Sequence, residues 1–484
     1  MRSLKTVLLG CAAGLLAAGA AQAADLPVKK AAAAVQYVEV CPVYGSGFYK
    51  LPGTDICIRH FGYVKFNGGF QNEREAWDVV ARPDRADNRD RIEQIVAPGG
   101  SNTVGWQWSI RPGWDFRSPT EFGTLRAVVQ MRVDQRNGVF EDDDPVTTGT
   151  MRTANLIHRG YIEWAGFLIG RAGTQFVYWD QDDVITAIGG DPKETTMQVT
   201  YVFTGPGGIK ATLGLEDSAT WDGGITDVTG QRVGFPVIGV NDGGPQRLYD
   251  IVASLSTEQS WGSAKIAGLL HFGHTNADLR PTGGNGAADD NDQQVGWAVM
   301  GGVTFLLPML GPKDQLLLQA QYCDGVNAAC GVNGGAANDP SAFERRGQFL
   351  DGLNRLWDTD AYAVNNGTAT RSWDFESTKV WVIEGQLRHY WTPLLRSNLM
   401  ASYLNIDVPA QAARFVGVGD ADSWDVAANL IWGQNRRTAE IGVELVYKQL
   451  NQDVSNVTAR EAGRRGVDTS PSGWAVVGFI QRAW

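Results

Sequence analysis

The sequence predicts an all-β protein: sixteen antiparallel strands closed into a transmembrane β-barrel, with short turns at one rim and long loops at the other. Three observations lead there. Apolar and polar residues alternate with period two in segments of about ten residues, the length of a tilted membrane strand. The connections alternate between short turns marked by Gly or Pro and long polar stretches. Beyond residue 24 no window approaches the ~18 continuous apolar residues of a spanning helix, so any crossing of a membrane must use strands.

The chain opens on a basic Met1–Lys5, an apolar run of small residues from Thr6 to Ala20, and Ala21-Gln-Ala23. This is the layout of a secretory signal with an A-x-A cleavage site, so residues 1–23 read as a signal peptide and 24–484 as the barrel domain. A lipoprotein leader ending at Cys11 is the competing reading, but its apolar part would be about five residues, below the usual ~7–15. Residues 25–36 read as a flexible mature N-terminus. The 484 residues carry 42 basic and 53 acidic side chains, and losing Arg2 and Lys5 with the leader widens the acidic excess. A general nucleic-acid partner, which needs a basic face to displace counterions, is thereby disfavoured. Abundant Gly (59), with 17 Trp and 13 Tyr, suits β-structure with many turns and interfacial aromatics.

Four cysteines remain after cleavage, an even number in an exported chain, which suggests two disulfides. Proximity favours Cys41–Cys57 and Cys323–Cys330 over the crossed pairings. Zinc is the rival, but there is no C-x-x-C and no nearby His to complete a site.

The alternation is explicit in several strands. Met197, Val199, Tyr201 and Phe203 share one face opposite Thr196, Gln198 and Thr200. Ile209, Ala211, Leu213 and Leu215 repeat the pattern, as do Leu316, Leu318, Ala320 and Tyr322, and Ala439, Ile441, Val443, Leu445 and Tyr447. Seven short turns fall near 118–123, 165–166, 204–208, 257–262, 310–314, 393–396 and 434–437, and eight long segments near 71–103, 135–152, 173–194, 217–246, 275–292, 324–376, 408–422 and 451–471. Seven turns and eight loops join sixteen strands, although 396–407 and 472–484 alternate less cleanly. One-sided strands in that number would make an implausibly large sandwich, whereas a closed barrel in lipid removes both the edges and the problem of an apolar outer face. Tyr201, Phe203, Tyr322, Tyr390, Trp391, Trp432, Tyr447 and Trp474 sit near strand ends, where aromatic girdles mark lipid–water boundaries.

Three segments carry a family resemblance: Cys41-Pro-Val-Tyr-Gly-Ser-Gly-Phe-Tyr-Lys-Leu-Pro-Gly-Thr-Asp-Ile-Cys57-Ile-Arg59, Asp115-Phe-Arg-Ser-Pro-Thr-Glu-Phe-Gly-Thr-Leu-Arg126, and Gly160-Tyr-Ile-Glu-Trp-Ala-Gly-Phe-Leu-Ile-Gly-Arg171. They resemble the start, the second hairpin and the fourth and fifth strands of the alphaproteobacterial general porins, the rhizobial and Brucella-type family. The resemblance implies a trimeric outer-membrane channel of sixteen strands whose third long loop folds into the pore. Its setting would be outer-membrane lipid and lipopolysaccharide, its cargo small hydrophilic solutes, and no cofactor is implied. Such chains usually end in an aromatic, often Phe; here it is Trp484, and Arg482 occupies one of the alternate positions where an apolar residue is expected.

Sixteen strands leave a water-filled lumen, and charge at its narrowest part selects solutes. Arg59 and Lys65, then Arg111, then Arg126 and Arg132, then Arg159 fall on the polar faces of the first four strands, a ladder of cations on one wall. The third long loop carries Asp180, Asp182, Asp183, Asp191 and Glu194, which face that wall if the loop dips inward as the family suggests. A sugar- or anion-selective channel, and a barrel serving as adhesin or receptor through loops such as 324–376, are the alternatives. Enzyme readings find little: His158 and His271 lack partners in sequence, and no G-x-S-x-G or Walker loop occurs. Glu141–Asp144 and Asp289–Asp292 offer oxygen ligands for calcium without the fixed loop pattern of a dedicated site.

Overall fold

A computed structural model describes residues 39–72, 78–83, 90–96, 103–138, 152–179, 189, 195–227, 247–274, 293–332, 359–365, 373–410, 412–413, 418–433, 439–454, 470 and 472–484. Residues 1–23, read above as a signal peptide, residues 25–36, and both acidic runs at 141–144 and 289–292 lie outside them.

Sixteen strands form the barrel: β1 Cys57–Gln71, β2 Val104–Thr120, β3 Gly123–Gly138, β4 Arg152–Trp164, β5 Phe167–Gly173, β6 Thr195–Thr204, β7 Ile209–Glu216, β8 Asp250–Gln259, β9 Gly262–His274, β10 Gln293–Leu306, β11 Gln315–Asp324, β12 Lys379–Tyr390, β13 Leu395–Asp407, β14 Val418–Gly433, β15 Ala439–Val454 and β16 Ser472–Ala483. Each pairs antiparallel with its neighbours in sequence, and β1 closes on β16 from Tyr63↔Ala483 to Gln71↔Ala475. Both strands of uncertain alternation, 395–407 and 472–483, are full members. At the seam Gly62 exchanges backbone hydrogen bonds with Trp484. Gly62 sits at φ +150°, and a Cβ there would meet the Arg111 carbonyl at 2.3 Å and the Trp484 ring at 3.0 Å, so the C-terminal aromatic packs where no side chain fits.

The facing agrees with the alternation. Leu213 is 62% exposed on the outer wall, while Thr200, across the strand pair on the inner wall, is fully buried. Outward aromatics meet across strands toward the long-loop rim: Trp297–Tyr322 at 5.2 Å, Trp381–Tyr403 at 5.1 Å and Trp424–Tyr447 at 5.1 Å. Toward the opposite rim Phe167 and Tyr201 meet at 5.0 Å, and Trp261 and Phe305 at 5.8 Å. Two belts of amphipathic rings bracketing an apolar band are what a bilayer requires. Arg482 is exposed on the outer face beside them.

Both disulfides join the neighbouring cysteines, Cys41–Cys57 with Cα atoms 6.2 Å apart and Cys323–Cys330 at 6.1 Å. The first ties the N-terminal segment, whose Tyr49–Lys50 pairs with Ile58–Cys57, to the foot of β1. The second folds the start of the sixth loop back onto β11.

The loops hold more structure than their polar composition suggests. A hairpin of Asp78–Pro83 and Asp90–Val96 lies in the first, and Ile225–Asp227, Ala361–Asn365 and Trp373–Ser377 form a small mixed sheet from the fourth and sixth. The lumen is also less open than a bare sixteen-strand cylinder. Val252, Leu269, Met300 and Val380 on the inner wall of β8–β12 are buried against loop residues such as Phe176, Trp221 and Val326. Water is therefore displaced from that half of the upper barrel by apolar packing, which short-range alternation on each strand does not reveal.

The facing makes a direct prediction. Leu213→Arg, placing a cation in lipid, should destabilise the barrel by about 2–4 kcal/mol if it sits near the bilayer midplane. Thr212→Arg, one residue away but inward, should cost far less. Refolding into vesicles over a denaturant series measures both, and equal losses would contradict the assignment.

Candidate pore constriction

Every strand-borne basic residue singled out from sequence lies on the inner wall of β1–β4. Registered partners share a face, and Arg59↔Asp115, Lys65↔Ser109, Tyr63↔Arg111, Arg126↔Glu163 and Gln130↔Arg159 tie the rungs together. Ile110 pairs with Val133 and Gly113 with Gln130, which sets Arg111 beside Arg132. A bulge contributes as well. Gln130 pairs with Arg159 but Met131 with Ile157, so His158 is the extra residue and both His158 and Arg159 serve the lumen side. His158 is 3% exposed, with Nε2 3.5 Å from the Arg111 guanidinium.

The ladder is partly compensated by carboxylates that the sequence reading passed over. Asp115, fully buried, meets Arg59 at 3.5 Å, Arg117 at 2.8 Å and Arg126 at 3.1 Å, and Arg126 reaches Glu163 at 2.9 Å. Phe48 of the N-terminal segment lies between Arg59 and Arg117, whose guanidinium carbons stand 4.9 and 4.7 Å from its ring centre. Arg132 pairs with Asp134, which also accepts from Ser109. The signal for these acids was present: Asp115, Asp134 and Glu163 occupy the same alternating positions as the cations. At the lower rungs Arg59, Arg117 and Arg126 thus share two carboxylates, Asp115 and Glu163, which offset most of their charge. At mid-height Arg111 stacks over Tyr63 at 5.5 Å and Lys65 over Phe479 at 5.1 Å.

The third loop enters the barrel. After β5, Thr174 Oγ1 donates to Glu216 at 2.8 Å, and Lys265 donates to the Val177 carbonyl at 2.7 Å. Tyr178 Oη donates to Thr304 Oγ1 at 2.6 Å and meets Ser263 Oγ at 2.8 Å; Trp179 N donates to Gln319 Oε1 at 3.0 Å. Farther along, Gly189 N donates to Asp425 on the inner wall of β14. The described parts of the loop are fastened in turn to β7, β9, β10, β11 and β14, away from the basic strands. Gly302 makes room for the crossing, since a Cβ there would lie 2.2 Å from Cδ1 of Tyr178. Asp180, Asp182, Asp183, Asp191 and Glu194 lie outside the described residues.

Gly302→Leu should drive the Tyr178 ring off the wall and loosen the crossing, so single-channel conductance in planar bilayers should rise. An unchanged conductance from a folded barrel would show that the loop is not held there.

With this geometry in view, comparison with known proteins places the chain. The model of a porin subfamily matches residues 25–470. Porin Omp2b of Brucella suis is 29% identical over 365 residues, 68% of this chain and 87% of that protein. Porin Omp2a of Brucella melitensis biotype 1 is 30% identical over 361 residues, with 68% and 88% coverage. Among solved structures, the outer membrane channel DcaP of Acinetobacter baumannii shares the fold with a TM-score of 0.56 at 14% identity, over 90% of this chain and 99% of that one.

Proposed function

The chain belongs to this porin subfamily and is an outer-membrane porin of a Gram-negative bacterium; from that premise we propose that ions and small hydrophilic solutes diffuse passively through a gap between the third loop and the basic wall of β1–β4. The observation that carries this reading is the loop's attachment to β9–β11 and β14, which leaves the opposite, cationic arc facing the remaining lumen. Transport then follows from geometry, with no catalytic step. The acids at 180, 182, 183, 191 and 194 would stand on the loop side of the gap and create a transverse field that orients dipolar solutes and resists apolar ones.

Three further expectations belong to the same proposal. Residues 1–23 are removed on export. The outer wall contacts outer-membrane lipid and lipopolysaccharide. The barrel assembles with copies of itself, as a homotrimer. Arg171 supports self-association: it pairs with Met197, which is 51% exposed on the outer wall, so it shares the lipid-facing side of β5. A cation there costs about 2–4 kcal/mol near the midplane unless a protein surface covers it.

Reversal potentials in a salt gradient test the field. Neutralising Lys65, Arg111 and Arg159 together should move selectivity toward cations, and converting Asp180, Asp182 and Asp183 to Asn should move it toward anions. Both shifts should shrink at 1 M salt, where the Debye length is about 3 Å. If neither set moves the potential in intact assemblies, the third loop and the basic arc do not face each other across the pore.

A further inference from the structure

A second cluster of chemistry-bearing groups lies outside the passage, beneath the small sheet at the long-loop mouth. His271, on the inner wall of β9, is 1% exposed. Its Nδ1 lies 2.7 Å from Asp250 Oδ2 at the head of β8. That acceptor places the ring hydrogen on Nδ1 and turns the Nε2 lone pair the other way. Nε2 is buried with no hydrogen-bond partner. It faces Asp360 Oδ2 at 3.9 Å, too long for a hydrogen bond. One donor atom from each of Asp222, His271 and Asp360 lies within 4.8 Å of the others. Both acids are steered by backbone: Gly224 N donates to Asp222 Oδ1 at 2.7 Å, and Asn327 N to Asp360 Oδ1 at 2.7 Å. Asp360 Oδ2 also accepts from Gly223 N.

We infer that Asp222, His271 and Asp360 bind one divalent transition-metal ion, typified by zinc, which fastens the fourth loop to the sixth over β9. Three protein ligands with a position left for water is a familiar zinc arrangement, and a buried imidazole beside carboxylates suits zinc better than the all-oxygen shells of calcium or magnesium. Tetrahedral bonds of about 2.0–2.1 Å place ligand atoms about 3.3 Å apart, so His271 and Asp360 need close by less than an ångström. Asp250 then plays the outer partner that orients a metal-bound imidazole and raises its basicity. The rival occupant of Nε2 is a proton. It would put an imidazolium among three carboxylates yet leave its N–H without an acceptor at hydrogen-bond length, whereas an ion draws all three ligands in. The fourth and sixth loops already pair through Ile225–Asp227 and Ala361–Ala363, so the ion would lock a junction that the backbone has begun.

The experiment uses the full mature chain without an affinity tag, refolded in detergent, stripped with chelator and titrated with zinc chloride by calorimetry. One zinc per chain is expected. Asp250→Asn should weaken binding about 10–100-fold, and His271→Gln and Asp222→Asn should each weaken it at least as much, with the open-channel conductance unchanged. Absence of saturable zinc binding, calcium binding in its place, or unaltered affinity in both His271→Gln and Asp222→Asn would overturn the inference. Should His271→Gln fail to refold, Asp222→Asn decides alone, since Asp222 is a half-buried loop residue.

Discussion

A chain that crosses lipid with strands must close its backbone hydrogen bonds on itself, because no water is available there to satisfy an open edge. The pairing of β1 with β16 is where this protein meets that demand, and the rest of its architecture follows from it. Closure joins the two ends of the barrel at Gly62 and Trp484. It also fixes which side of every strand sees lipid. Once the outer side is committed to Val, Leu, Ile and aromatic girdles, most polar and charged residues turn inward, with Arg171 and Arg482 as exceptions. The lumen therefore inherits Arg59, Lys65, Arg111, Arg126, Arg132 and Arg159 as neighbours, although they are spread over a hundred residues of sequence.

In the proposed function, what would make this wall a selective passage is how its charges are paired and what stands opposite. Arg59 and Arg126 share the buried Asp115, and Arg132 holds the buried Asp134, so these pairs stiffen the wall and weaken the field it presents. The third loop and the apolar packing behind it fill the β8–β14 side, a division made possible by the missing side chain at Gly302 and the three polar contacts of Tyr178. The small sheet at the mouth, with its Asp222–His271–Asp360 junction, belongs to the same filled half. On the proposed reading, one half of the barrel interior is scaffold and the other is passage.

The barrel was legible because lipid and water impose opposite demands on alternate residues of one strand, a contrast visible within ten residues, as at Met197–Phe203. The cysteine pairs were legible for the same reason of proximity. The interior was not. His158 turns inward through a bulge that breaks the period, and Asp115, Asp134 and Glu163 were overlooked although parity placed them beside the arginines. The loop sheet and the surroundings of His271 depend on partners from 222, 250 and 360, which only strand register and loop folding bring together. Local pattern reports the environment of a strand's two faces; it does not report what a loop does after it leaves the membrane.

The central claim, that the conducting path runs along the inner wall of β1–β4, is tested most directly by covalent labelling during current recording. All four described cysteines are in disulfides, so an introduced thiol is the sole target among them. A negatively charged, water-soluble thiosulfonate added to Arg159→Cys should reduce the open-channel current in steps. The same reagent on Ile162→Cys, whose native side chain is 51% exposed on the outer wall, should leave it unchanged. An unaltered current at 159 after labelling is verified by mass, or an equal fall at 162, would contradict the account.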